Sequence, residues 1–291
     1  MFRGSIVPII TPFKDGELDL QAFAELIEWQ IESGSHGISV QGTTGEPASL
    51  SLEERKLVIK TAADVINGRV PFIPGSGSTH HGETLELSRY AEEVGADGLL
   101  LISPYYSRPS QEGIFQHFDA VAKQTGLPVI LYNIPGRTAV NIEIDTVARL
   151  REANDNIVGV KESNKDFEHI NRLIHKMGRD FAVYSGIELL CFPILAIGGA
   201  GYVSATGNLM PKEVASLYDL VEAGDWQAAQ DLHYSLMTLN DAIFFEINPV
   251  PVKTILGMMG KCSDEVRLPL APVSDANRKR LEAIASEYDL I

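Results

Sequence analysis

A chain of 291 residues is long for one domain, yet α/β barrels occupy about 250 residues as a single unit, so length alone does not require a split. With 45% hydrophobic and 22% charged residues, the composition is that of an ordinary globular chain and excludes a disordered one. The formal net charge of −15 excludes broad attraction to nucleic acid or an anionic membrane, leaving a small molecule as the expected partner.

From the N-terminus, short runs rich in β-branched and other apolar residues lie at 5–10, 37–41, 70–75, 97–102, 128–132, 157–161, 181–185 and 200–204. The first has no signal-peptide layout. Between the runs, 19–32, 52–65, 83–94 and 112–124 space their apolar residues three and four apart, which predicts amphipathic helices. Ser51 before Leu52-Glu53-Glu54 reads as a capping box, and Asp166 ahead of Phe167-Glu168 as another helix start. Strand runs without polar alternation predict burial on both faces, hence a parallel sheet covered by helices. About eight such β-then-α units close most naturally into a (β/α)8 TIM barrel. An open doubly wound sheet is disfavoured, because no Gly-x-Gly-x-x-Gly turn follows the first strand and no linker halves the chain.

Leu189 to Pro211 runs 23 residues without a charge, long enough to span a bilayer. Pro193 and the glycines at 198, 199, 201 and 207 interrupt it, so it reads as barrel core, with the glycine cluster serving close strand packing rather than phosphate binding. Beyond it the pattern turns helical near 211–222, 225–244, 249–260 and 274–288. The expected organisation is a catalytic barrel over 1–224 and a C-terminal helical extension over 225–291, packed on the barrel and available for oligomer contacts. Cys191 and Cys262 are far apart in apolar surroundings, which suggests neither a disulfide framework nor a thiolate metal site and fits a reducing cytoplasm. His80 and His81 are adjacent and point apart, and no neighbouring acid or thiol completes a metal set.

In a barrel of this type chemistry collects on the loops that follow each strand. Here they include Gly42-Thr43-Thr44-Gly45-Glu46, Ser103-Pro104-Tyr105-Tyr106, Tyr132-Asn133-Ile134-Pro135-Gly136-Arg137-Thr138, Lys161-Glu162-Ser163, Ser185-Gly186 and Ser204-Ala205-Thr206-Gly207-Asn208. Hydroxyls and glycines dominate, which suits a small oxygen-rich ligand. Lys161 ends the run Ile157-Val158-Gly159-Val160 and is expected at the barrel interior, where desolvation favours the neutral amine that attacks carbonyls. The alternative is a surface lysine paired with Glu162. Tyr132, one strand earlier, is either a proton-transferring phenol linked to other hydroxyls such as Thr43 and Tyr106, or a packed ring. The threonine loop is either a carboxylate cradle or a plain turn, and Arg137 either grips a second carboxylate or lies free on the surface. Glu46 before Pro47 is open between a helix-entry acid and a functional one.

Taken together, Gly42-Thr43-Thr44-Gly45-Glu46, Tyr132-Asn133-x-Pro135, Lys161-Glu162 and the tail motif Asn248-Pro249-Val250-Pro251-Val252-Lys253 resemble the dihydrodipicolinate synthase and N-acetylneuraminate lyase superfamily of class I pyruvate aldolases, over essentially the whole chain. The resemblance implies a lyase without cofactor or metal. Lys161 would form the pyruvate imine, Tyr132 would act as general acid/base, and Thr43 and Tyr106 would complete a proton relay. Tyr106 would reach the site of a neighbouring subunit, so a homo-oligomer is implied, usually a tetramer built as a dimer of dimers. Thr44 would hold the pyruvate carboxylate with Thr43, while Val203 and Gly186 would border the bound substrate.

Arg137 matches the dipicolinate synthase branch, where it would bind the carboxylate of aspartate semialdehyde in the entry step of lysine and diaminopimelate biosynthesis. The loops Ser185-Gly186-Ile187-Glu188 and Lys161-Glu162-Ser163-Asn164-Lys165 depart from that branch, the first lacking an acid straight after its glycine. They keep open a catabolic aldolase or dehydratase acting on another 2-oxo acid; a non-catalytic metabolite-binding barrel is the third reading. Pro47, Leu52, Arg55 and Thr79 stand where feedback-regulated members carry polar lysine-binding residues, so weak or absent lysine inhibition is expected.

Overall fold

The computed structural model describes residues 2–291. Strand β1 (Gly4–Pro8) leads to a small hairpin of β2 (Phe13–Lys14) and β3 (Glu17–Leu18), then α1 (Leu20–Glu32), β4 (Gly37–Ser39), α2 (Leu52–Ile66) and α3 (His81–Glu93). There follow β5 (Leu99–Ile102), α4 (Gln111–Ala122), β6 (Val129–Asn133), α5 (Pro135–Thr138), α6 (Ile144–Ala153), β7 (Ile157–Glu162) and α7 (Phe167–Met177). Next come β8 (Ala182–Ser185), α8 (Cys191–Ala196), β9 (Gly201–Val203) and α9 (Pro211–Glu222). The chain ends with α10 (Trp226–Ser235), α11 (Met237–Ala242), α12 (Val250–Met258) and α13 (Asp275–Glu287).

The main sheet is parallel throughout, in the order β4-β1-β9-β8-β7-β6-β5. Segment 70–75, expected as the third strand, lies between β4 and β5 as isolated bridges. Pro71 and Pro74 have no N–H to give a ladder, but their carbonyls still accept. Ile38 N donates to Pro71 O at 2.9 Å, Ile73 N to Ile38 O at 2.9 Å and Leu100 N to Pro74 O at 3.0 Å, which closes the ring. The fold is the expected (β/α)8 barrel with extra C-terminal helices.

Ring residues divide between two apolar layers. Ile6, Ile73, Leu100, Ile130, Tyr184 and Val203 fill the interior, while Val7, Leu99, Leu131 and Val160 face the helices and pack with residues such as Ile27, Phe118 and Leu173. Burial on both sides is why the strands read as continuous apolar runs. The uncharged stretch after Glu188 resolves into α8, β9 and a tight turn at Thr206–Asn208, and no helix of the described residues is long and apolar enough to cross a membrane. Close packing accounts for Gly201: with φ +154°, a Cβ there would stand 2.1 Å from the Gly4 carbonyl oxygen across the β9–β1 pair.

Helix starts follow the expected chemistry. Ser51 forms the capping box with Glu54, and Asp166 accepts from His169 N at 3.1 Å. The helical stretch 225–244 divides at Leu236 into α10 and α11. The adjacent histidines do point apart. His80 Nδ1 caps α3 by accepting from Glu83 N at 3.2 Å, whereas His81 Nδ1 meets His117 Nδ1 of α4 at 3.0 Å.

Burial, followed by the facing His81 ring, pushes the His117 imidazolium down to about 4. The unfolded chain therefore takes up this proton first as pH falls, so the contribution is complete above about pH 6.5 and is lost toward pH 4. Urea unfolding across that window should show His117→Phe losing less stability than wild type, by up to about 3 kcal/mol. Parallel acid limbs for the two proteins would contradict this.

Candidate active site

The parallel register of β6 and β7 sets Tyr132 beside Lys161 as direct partners. Alternation along the strands turns both side chains to the barrel axis. Each is 4% exposed, and Lys161 Nζ lies 4.0 Å from the centre of the Tyr132 ring. The same alternation sends Glu162 to the opposite face, where Asn133 Nδ2 donates to both its oxygens at 3.0 Å and Asn164 N donates to Oε1 at 2.8 Å. Glu162 is thus fully engaged away from the amine, and the surface-pair reading of Lys161 does not hold.

The threonine loop approaches from the far side of the barrel. Thr43 Oγ1 lies 3.4 Å from the Tyr132 hydroxyl, and Thr44 Oγ1 accepts from Asn248 Nδ2 at 3.0 Å. Burial alone would push the Tyr132 phenol up. The charge of Lys161 and hydrogen bonding to Thr43, Ser163 and Lys161 outweigh it, leaving the phenol below its ordinary value.

A cavity of about 60 Å³ opens over the lysine. Thr43, Thr44, Tyr132, Arg137, Lys161, Gly186 and Val203 all line it, so the structure brings these sequence-predicted residues together. It is a narrow space, suited to a molecule of a few heavy atoms. A wider cavity of about 240 Å³ shares Thr43, Tyr132 and Arg137 and continues past Tyr105 to Pro249 and Leu270. Arg137, exposed on α5, donates from Nη2 to the Asn248 carbonyl at 3.3 Å where the two spaces meet. Tyr106 does not join this group within the chain. It lines neither cavity, is 94% exposed and holds a left-handed φ of +70°.

Two polar lining residues escape a reading of strand ends. Asn248 arrives from the C-terminal extension, where the Asn248-Pro249 motif was visible but its target was not. Glu188 follows the seventh strand by three residues, so the acid absent straight after Gly186 is supplied two positions later. Its carboxylate accepts from Ser204 Oγ and, at 2.7 Å, from Ala205 N. Burial raises its pKa, opposed by these bonds and by the charge of Lys161. Its one sequence signal is that it is the last charge before the long uncharged stretch.

The model of the dihydrodipicolinate synthetase family matches residues 1–288. The chain is 49% identical to a 4-hydroxy-tetrahydrodipicolinate synthase of Citrifermentans bemidjiense, with all of both chains covered. It is 48% identical to the enzyme of that name from Thermus thermophilus, covering 100% of this chain and 98% of the relative. The solved dihydrodipicolinate synthase of Aquifex aeolicus superposes with a TM-score of 0.98 at 42% identity, covering 99% of each chain.

The low phenol is a property of the lysine beside it. An ultraviolet difference titration of wild type against Tyr132→Phe should reveal one tyrosine ionising below the ordinary range, and Lys161→Met should move that transition up. A Tyr132 transition unmoved by loss of the lysine would contradict the assignment.

Proposed function

The chain belongs to the dihydrodipicolinate synthetase family, and we propose that it condenses pyruvate with L-aspartate 4-semialdehyde through an imine on Lys161, giving 4-hydroxy-tetrahydrodipicolinate for lysine and diaminopimelate biosynthesis. The observation that carries this reading is the buried amine held against a phenol of lowered pKa at the floor of a narrow cavity.

The Lys161 amine attacks the keto carbon of pyruvate and water leaves as the imine forms. Removal of a methyl proton gives the enamine, whose carbon attacks the aldehyde of the second substrate. The amino group of that substrate then displaces Lys161 from the imine carbon and closes the ring. Overall, the two substrates give the product and one water. Each step moves a proton, and Tyr132 is the group in reach, with Thr43 Oγ1 at 3.4 Å from its hydroxyl as the next member of a relay. Thr43 and Thr44 hold the pyruvate carboxylate, Gly186 and Val203 border it, and Arg137 takes the carboxylate of the semialdehyde from the wider cavity.

Tyr106 completes the relay in a neighbouring subunit. Its exposure and left-handed backbone support a side chain set outward for a partner, within a homo-oligomer assembled as a dimer of dimers in the cytoplasm. The catalytic barrel spans 1–224 and the helical extension 225–291. Inhibition by lysine is weak or absent. Arg55, at one of the positions concerned, is buried and already donates to the carbonyls of Gly75 and Gly77 and to Gln41 Oε1, leaving little to offer a ligand.

Borohydride reduction with pyruvate, followed by peptide mapping, should place the adduct on Lys161; an adduct elsewhere, or none, would sink the imine mechanism. Tyr132→Phe should lower kcat by roughly 10²–10⁴-fold in the coupled condensation assay while the fold survives. Gly186→Ala tests the geometry separately. An added Cβ would stand 2.9 Å from Lys161 Cε and 2.0 Å from Ser163 Oγ, so kcat/KM should fall by about 10²-fold through misplacement of the amine.

A further inference from the structure

The reaction uses Lys161, yet the chain buries a second lysine more completely. Lys253, on α12 of the C-terminal extension, is 0% exposed, and its Nζ lies 2.6 Å from Glu46 Oε1, a carboxylate just as deeply enclosed. Burying an ion pair is costly and is a poor way to gain stability, so its placement calls for another account. Glu46 is the residue on which the threonine loop ends. It closes the tight turn Thr43–Gly45 in a left-handed conformation, φ +53°, that a non-glycine residue adopts only when its surroundings hold it there.

The extension fastens this loop at three successive points. Asn248 donates to Thr44 Oγ1 at 3.0 Å, Lys253 donates to Glu46 at 2.6 Å, and Arg267 donates to the Ser49 carbonyl at 3.3 Å. Phe13 is held by the same cations, with Lys253 Nζ at 4.1 Å and Arg267 Cζ at 4.4 Å from its ring centre. Of the three points only the middle one joins two full charges out of water, where a directional contact is strongest.

We propose that Lys253 is a positioning residue of the reaction: through its buried contact with Glu46 it holds the Thr43-Thr44 turn in the geometry that receives the pyruvate carboxylate. The C-terminal extension is on this account part of the substrate site rather than an appendage. The inference rests on the reading above that Thr43 and Thr44 hold pyruvate.

The test compares wild type, Lys253→Met and the neutral double variant Glu46→Gln/Lys253→Met, all as full chains. Wild type is first trapped with pyruvate and borohydride; failure there would strike the imine reading and not this one. Pyruvate KM, kcat at saturating pyruvate and thermal unfolding are then measured for each protein. Lys253→Met should raise the pyruvate KM by about tenfold or more, with a much smaller change in kcat and with trapping at Lys161 retained at high pyruvate. Its defect should ease at acidic pH, where the stranded Glu46 carboxylate takes up a proton. The double variant carries no unpaired charge and remains measurable should the single variant fail to fold; its pyruvate KM should be raised as well. Wild-type pyruvate KM in either folded variant, whatever happens to the unfolding temperature, would reduce the pair to a structural role and overturn the proposal.

Discussion

The register between β6 and β7 is the constraint from which the chemistry follows. A slip of β7 by one residue against β6 would turn Lys161 to the helix side and bring Glu162 inward beside Tyr132. The observed register leaves the amine enclosed with a phenol and the carboxylate enclosed with amides, so each charge meets partners of the right kind. It is secured on both faces: Ile130 and Ala182 pack inside the ring, Leu131 and Val160 outside it. The apolar core thus selects the register, and the register in turn sets the lysine beside the tyrosine.

Much of the fold is legible in the sequence for the same reason. Strands buried on both faces must be apolar throughout, so they announce themselves without any knowledge of their partners. The third strand is the instructive exception. Pro71 and Pro74 leave only isolated bridges, but the segment keeps its place because neighbours donate to the proline carbonyls. The turn near Leu236 leaves no comparable mark, since both flanking segments keep a helical spacing of apolar residues.

The site divides along a similar line. Lys161, Tyr132, Thr43, Thr44, Gly186 and Val203 sit on or beside strand ends, where a barrel gathers its chemistry, and chain position alone brings them together. Glu188 and Asn248 belong to no strand end, and their approach depends on how α8 and α12 fold back. The Glu46–Lys253 pair joins residues 207 positions apart, and the sequence left Glu46 open between a helix-entry acid and a functional one. Neither adjacent helix explains it. The tail motif is recognisable as a string, but its physical meaning is a contact that no local pattern encodes.

Charge sets the remaining problem, because two carboxylate-bearing substrates must enter a chain of net charge −15. Long-range attraction is not available, so binding must come from groups within a few ångströms in a space that excludes water. The narrow cavity supplies this through the Lys161 amine, the Arg137 guanidinium at its edge and the loop hydroxyls. Glu188 is the one acid in that lining. Enclosure biases it toward its neutral form, while Ser204 and Ala205 engage its oxygens, which limits the repulsion it offers an incoming carboxylate. Low dielectric strengthens the few favourable contacts without strengthening those with the distant surface acids, which solvent and salt screen. A strongly acidic protein can in this way hold anions at its centre, provided the positive groups are few and close, the lysine enclosed and the arginine tethered at the rim.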